Sequence, residues 1–77
     1  MKNMAQSFTT TQICKRFKKV RLEAKLTQPQ YAAKLGLTRS AVNAIENLRY
    51  CPSVETIRKI KKVFDKSYDW ILDGKKE

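Results

Sequence analysis

Residues 28–47 read QPQYAAKLGLTRSAVNAIEN, and this stretch decides the fold. Thr27 stands just before it, and Gln30 follows three residues later. That spacing is a capping box, in which each side chain satisfies a free backbone N–H at a helix start. Pro29 falls in the first turn, where its missing N–H costs little. Tyr31, Ala32 and Leu35 then supply the inner face of a predicted helix. Gly36 ends it, because a left-handed residue is needed after the last turn. Only Leu37 separates Gly36 from Thr38, the next cap. A second helix is predicted from Arg39 to Glu46 or Asn47, with Ala41, Val42 and Ile45 facing inward. Ala32 sits where the two helices cross, and a larger side chain there would push them apart.

Upstream, Thr9 to Gln12 can open a helix. Ile13, Phe17, Val20 and Ala24 follow at helical spacing as one apolar stripe, and the positions between them are largely basic. Downstream, residues 47–52 read as a loop, and Ser53 caps a fourth helix. Val54, Ile57, Ile60, Val63 and Phe64 are its expected inner face. Asp65-Lys66 breaks the pattern, Ser67 caps a last helix carrying Trp70, Ile71 and Leu72, and Asp73-Gly74 closes it. No alternating strand pattern is present. The reading is all-α, with about five helices, each too short to be stable alone. Residues 1–10 are expected to be a flexible segment, 11–74 the domain and 75–77 a frayed tail.

The chain has 77 residues, which suits one small domain and excludes barrels, doubly wound sheets and two-lobed enzymes. Lys plus Arg total 17 against 7 for Asp plus Glu, a formal net charge of +10. A folded domain this basic is attracted to polyanions. The chain has no His, which removes His-based metal sites and His general bases. No carboxylate cluster or activated Cys replaces them, so neither catalysis nor a metal or cofactor is expected. Cys14 and Cys51 are too few for a secreted disulfide scaffold and read as free thiols in a reducing cytosol. No apolar run approaches the length of a membrane span, and the polar start lacks the apolar stretch of a signal peptide. The expected location is the cytoplasm, at the nucleoid.

The paired helices of residues 28–47 resemble a helix-turn-helix, whose second helix enters the major groove of DNA. An αα-corner with no DNA role has the same local pattern. The longer stretch LTQPQYAAKLGLTRSAVNAIENLRYCPSVETIRKI, residues 26–60, together with SYDWILDG, residues 67–74, resembles the Cro/phage-repressor (XRE) type of DNA-binding domain. The resemblance runs from about Ile13 to Gly74. It implies a five-helix, lambda-repressor-like fold and a sequence-specific transcriptional regulator. The implied partner is double-stranded operator DNA, bound as a homodimer, with no membrane or small-molecule ligand evident.

The resemblance also implies roles. Thr38, Arg39, Ser40, Asn43 and Ala44 occupy the outward, base-reading positions. A guanidinium such as that of Arg39 bonds bidentately to guanine O6 and N7, and an amide such as that of Asn43 pairs with adenine N6 and N7. Gln28, Asn47 and Arg49, with Arg16 and Lys19 at longer range, are the expected phosphate contacts. Arg21 and Glu46 match a pair that joins the first and third helices in this family, and Glu46 is the only acid between Glu23 and Glu55. Trp70, Ile71 and Leu72 lie where the family commonly dimerises, and so small a domain cannot easily hide all three. One departure stands out. Leu48 replaces the glycine that often follows the Asn, and leucine avoids positive φ, so the loop after Asn47 is expected to run differently.

Within this class, an antitoxin or controller protein repressing its own operon carries the same signature. From other classes, a basic protein-interaction module and a membrane-surface amphipathic protein share the charge. The latter conflicts with the need of the first helix's apolar stripe for the core.

Overall fold

The computed structural model describes residues 8–75, and they form five helices. These are α1 (Phe8–Glu23), α2 (Gln28–Leu35), α3 (Arg39–Glu46), α4 (Val54–Phe64) and α5 (Tyr68–Asp73). There is no strand among the described residues. Residues 8–10, expected in a flexible segment, are helical instead. The first turns of α1 run beside the end of α5, where Thr9, Gln12 and Arg16 border Leu72 and Asp73. Tertiary support of that kind extends a helix past its local signals. The flexibility expected of residues 1–7, and of 76–77, lies outside the described residues. Among the described residues, no helix is long and apolar enough to cross a membrane.

Side-chain caps start four of the helices. Thr27 accepts from the Gln30 amide at 3.3 Å, while the Gln30 side chain accepts from the Thr27 amide at 2.9 Å. Thr38, Ser53 and Ser67 each accept from the amide three residues on, at 3.0, 3.1 and 3.0 Å. At the other ends the chain turns left-handed, at Lys25, Gly36, Leu48, Asp65 and Gly74. Two basic side chains add caps of their own. Lys59 donates to the Leu35 carbonyl at 3.2 Å, and Arg16 to the Ile71 carbonyl at 3.1 Å. Both meet carbonyls that a helix end leaves without partners.

The expected rerouting after Asn47 does not occur. Leu48 adopts φ 65°, the conformation a glycine would have taken. Its amide donates to the Ile45 carbonyl at 3.0 Å, and the next amide, of Arg49, donates to the Ala44 carbonyl at 2.9 Å. These bonds offset a conformational cost of about 1–2 kcal/mol for a residue with a Cβ.

The core forms around Tyr31, which is fully buried. Its ring lies 4.9 Å from that of Phe17 and 5.5 Å from that of Phe64. Its hydroxyl donates to the Phe17 carbonyl at 2.6 Å, tying α2 to α1. Cys14, Val20, Leu35, Val42, Ile45, Ile57, Ile60 and Ile71 close around it. Three expected core residues are elsewhere. Ala24 falls beyond the end of α1 and is exposed. Val54 is 74% exposed and Val63 46% exposed. The buried stripe of α4 is Thr56, Ile57 and Ile60, with Phe64 partly buried beside them. Thr56 can be buried because its hydroxyl accepts from that of Ser53 at 3.1 Å.

Cys14 is buried, and its thiol donates to the Tyr50 carbonyl at 3.2 Å, fastening the loop after α3 onto α1. Burial, with a smaller contribution from Cys51, pushes the Cys14 thiol up to about 11. Burial pushes the Tyr31 phenol up as well. Both folded values exceed the unfolded ones, so this contribution to stability is fully present below about pH 8.5 and is lost as pH rises. Stability should therefore fall on going from neutral to strongly alkaline buffer, read as the urea midpoint. Tyr31→Phe should cost about 1 kcal/mol at neutral pH and flatten that fall. An equally steep alkaline decline in the variant would remove Tyr31 as its source.

Candidate nucleic-acid interface

Gly36 and Leu37 set α3 across α2, and the outer side of α3 begins at its cap. Thr38, Arg39, Ser40 and Asn43 are exposed, whereas Val42 and Ile45 are buried beneath them. Ala44 is half-buried and offers only a methyl group at the margin. The Arg39 guanidinium has no hydrogen-bond or ion-pair partner among the described residues. A cation without an internal partner, at the first position of an exposed helix, is available to an external anion or base edge.

A hydrogen-bonded chain holds α3 in place. Arg21 Nε donates to Glu46 Oε2 at 2.7 Å and Arg21 Nη2 to Glu46 Oε1 at 3.0 Å. The third guanidinium nitrogen donates to the Leu26 carbonyl at 3.0 Å. The carboxylate side chain is 3% exposed and its partner 14%. The hydrogen bonds to Glu46 raise the guanidinium above its already high value, against the opposing effect of burial. The pair thus joins the end of α1 to the end of α3 by a two-pronged, mostly dry contact.

Gln28 extends this chain. Its Nε2 donates to Glu46 Oε1 at 3.0 Å and to Asn43 Oδ1 at 3.4 Å. Asn47 Nδ2 donates to the same Asn43 oxygen at 3.1 Å. One network therefore runs through α1, the first turn of α2, the middle of α3 and the turn after it. The involvement of Gln28 was not anticipated. The available signal was the position of Glu46, whose acceptor-only carboxylate has room for a third donor once Arg21 has taken two.

The other expected contacts divide. Lys19, Asn47 and Arg49 are exposed. Arg16 is turned toward the end of α5, where its Nη1 donates to the Ile71 and Leu72 carbonyls. A basic side chain beside a helix C-terminus is drawn to those unpaired carbonyls. The proposed interface on α5 also changes. Ile71 is 1% exposed within the domain and cannot form part of a surface. Trp70 is half-buried, packed on the core with Lys66 5.2 Å from its ring centroid. The large apolar side chains of α5 that do reach the surface are Leu72 and Tyr68, and they line an open groove with Val54, Ile57 and Arg58. Sequence periodicity placed Val54 inside, so it missed this groove.

The helix-turn-helix family, HTH_3, matches residues 17–71. The chain belongs to that family. Its type is that of the Cro/phage-repressor (XRE) domains. The uncharacterized HTH-type transcriptional regulator YqaE of Bacillus subtilis (strain 168) is 42% identical over 57 residues, 74% of this chain. Those residues are 49% of YqaE, so the chain spans about half the length of that relative. The P22 c2 repressor, crystallised with synthetic operator 9T, has the same fold. Its TM-score is 0.72 at 22% identity, over 82% of this chain and 96% of that one.

Glu46→Ala would strand Arg21 in a mostly buried site and release Gln28. The expected loss is about 3–5 kcal/mol in urea denaturation. A loss below about 1 kcal/mol would mark the pair as solvent-screened.

Proposed function

We propose that this chain is a sequence-specific DNA-binding regulator of transcription, acting as a repressor in the cytoplasm. The observation that carries this reading is the exposed face of α3, with Arg39 at its start unpartnered among the described residues and the Glu46 network fixing its end. The family supports it, as do the names of the relatives, one a transcriptional regulator and the other a repressor crystallised with its operator. In this reading α3 lies in the major groove. Arg39 and Asn43 read base edges, Thr38 and Ser40 bond to bases or phosphates, and the Ala44 methyl meets a thymine methyl. Asn47, Arg49 and Lys19, with the Gln28 backbone N–H at the start of α2, meet phosphates and fix the register.

Binding through six or so phosphate contacts should weaken about 10³-fold between 50 and 200 mM salt. Arg39→Ala should cost about 1–3 kcal/mol on the selected operator and relax preference at one base pair. Fluorescence anisotropy on selected and scrambled duplexes reads both. Salt-insensitive binding, or none, would return the chain to the class of basic interaction modules. Equal loss on every sequence would leave Arg39 a phosphate contact only.

The proposed active form is a homodimer on a palindromic operator, its two α3 helices about 34 Å apart to match successive turns of one DNA face. The groove between α4 and α5 supports this, because Val54, Tyr68 and Leu72 expose apolar surface on an otherwise strongly charged domain. Leu72→Asp should shift sedimentation to the monomer and weaken operator binding together, with the thermal unfolding midpoint little changed. An unaltered sedimentation profile would exclude this groove as the contact.

A further inference from the structure

The amide of Asn43 is polarised by its neighbours. The chain of causes starts at Glu46, whose carboxylate only accepts hydrogen bonds. The end of Gln28 that faces it must therefore be the amino end, as observed at 3.0 Å. The second hydrogen of that nitrogen goes to Asn43 Oδ1. Asn47 fills the remaining lone pair of the same oxygen. A carbonyl oxygen has two lone pairs, so the acceptor capacity of Asn43 is used up inside the protein. What Asn43 has left for a ligand is Nδ2, with its N–H donors.

We infer that Asn43 is a donor-only reader that selects guanine, with Gln28 as the residue that positions it. This rests on α3 entering the major groove. There, adenine offers an acceptor at N7 and a donor at N6, and bidentate pairing with it requires a free amide oxygen. Guanine offers two adjacent acceptors, N7 and O6, which suit a lone NH₂ group. Thymine presents one acceptor beside a methyl group and satisfies only half of it. The adenine pairing expected of an unconstrained asparagine is thus replaced by a guanine preference imposed from Glu46 through Gln28.

The test is selection of bound duplexes from a random pool by the full chain and by two variants, Asn43→Ala and Gln28→Ala. The base pair read by Asn43 is the one whose preference Asn43→Ala abolishes. The unaltered protein should hold guanine there by roughly tenfold over adenine. Replacing that guanine with 7-deazaguanine should weaken binding by the unaltered chain and not by Asn43→Ala. Gln28→Ala frees the Asn43 oxygen and should admit adenine at that position, collapsing the tenfold ratio. Adenine preferred by the unaltered chain would overturn the inference while leaving the DNA-binding reading intact. So would a selected motif that Asn43→Ala does not change. A guanine preference undiminished in Gln28→Ala would remove the positioning role from Gln28. Failure of the unaltered chain to enrich any sequence would sink the DNA-binding reading itself, and this inference with it.

Discussion

The contact between Arg21 and Glu46 governs how the rest of the molecule is used. Two opposite charges largely withdrawn from water lose hydration that their mutual attraction only partly restores. They are tolerated here because all three guanidinium nitrogens and both carboxylate oxygens are hydrogen-bonded. The guanidinium makes three bonds and the carboxylate receives three. The pair is worth less as net stability than as a constraint. It allows one orientation of α3 relative to α1, and any slip of either helix would strand a charge. It also places the only carboxylate between Glu23 and Glu55 where a cation of the same protein already covers it. The outer side of α3 is thereby left free of uncompensated negative charge.

The cations of this chain are divided between two uses, and net charge alone does not reveal the division. Arg21, Arg16 and Lys59 spend their donors on a carboxylate or on helix-end carbonyls, and Lys66 faces Glu23 at 3.3 Å and the Trp70 ring. Arg39, Arg49 and Lys19 have no such partner among the described residues. A formal charge of +10 therefore overstates what a polyanion meets at the α3 side. Attraction at long range depends on the whole charge, whereas contact depends on the free cations alone.

What was legible in the sequence was local. Caps at Thr27, Thr38, Ser53 and Ser67 and the stop at Gly36 each depend on residues within one turn, so helix limits followed from short patterns. The inner faces of α2 and α3 followed as well, because eight residues hold few alternatives. What failed to follow depended on partners distant in the chain. Val54 and Val63 have the right spacing for a core, but α4 instead buries Thr56, Ile57 and Ile60, with the Thr56 hydroxyl satisfied by Ser53. Arg16 resembled any other surface cation until the end of α5 arrived 55 residues away. Leu48 resembled an obstacle to a left-handed turn, yet two backbone hydrogen bonds were enough to hold it there.

In the proposed reading, the outer side of α3 combines two kinds of reader with opposite thermodynamics. Arg39 is long and unrestrained, so ordering it against a base costs roughly 0.5–1.5 kcal/mol of side-chain freedom. In exchange it can swing between a base edge and a phosphate. Asn43 is short, and Gln28 and Asn47 already hold its amide. Little freedom remains for binding to remove, and a mismatched edge cannot be met by rotating the amide without breaking two bonds. Preorganisation of this kind does little for affinity, since one amide contributes few contacts. It increases discrimination, because the penalty for the wrong base includes dismantling a network that ends on a buried charge. In that reading the residue that adapts and the residue that refuses stand one helical turn apart.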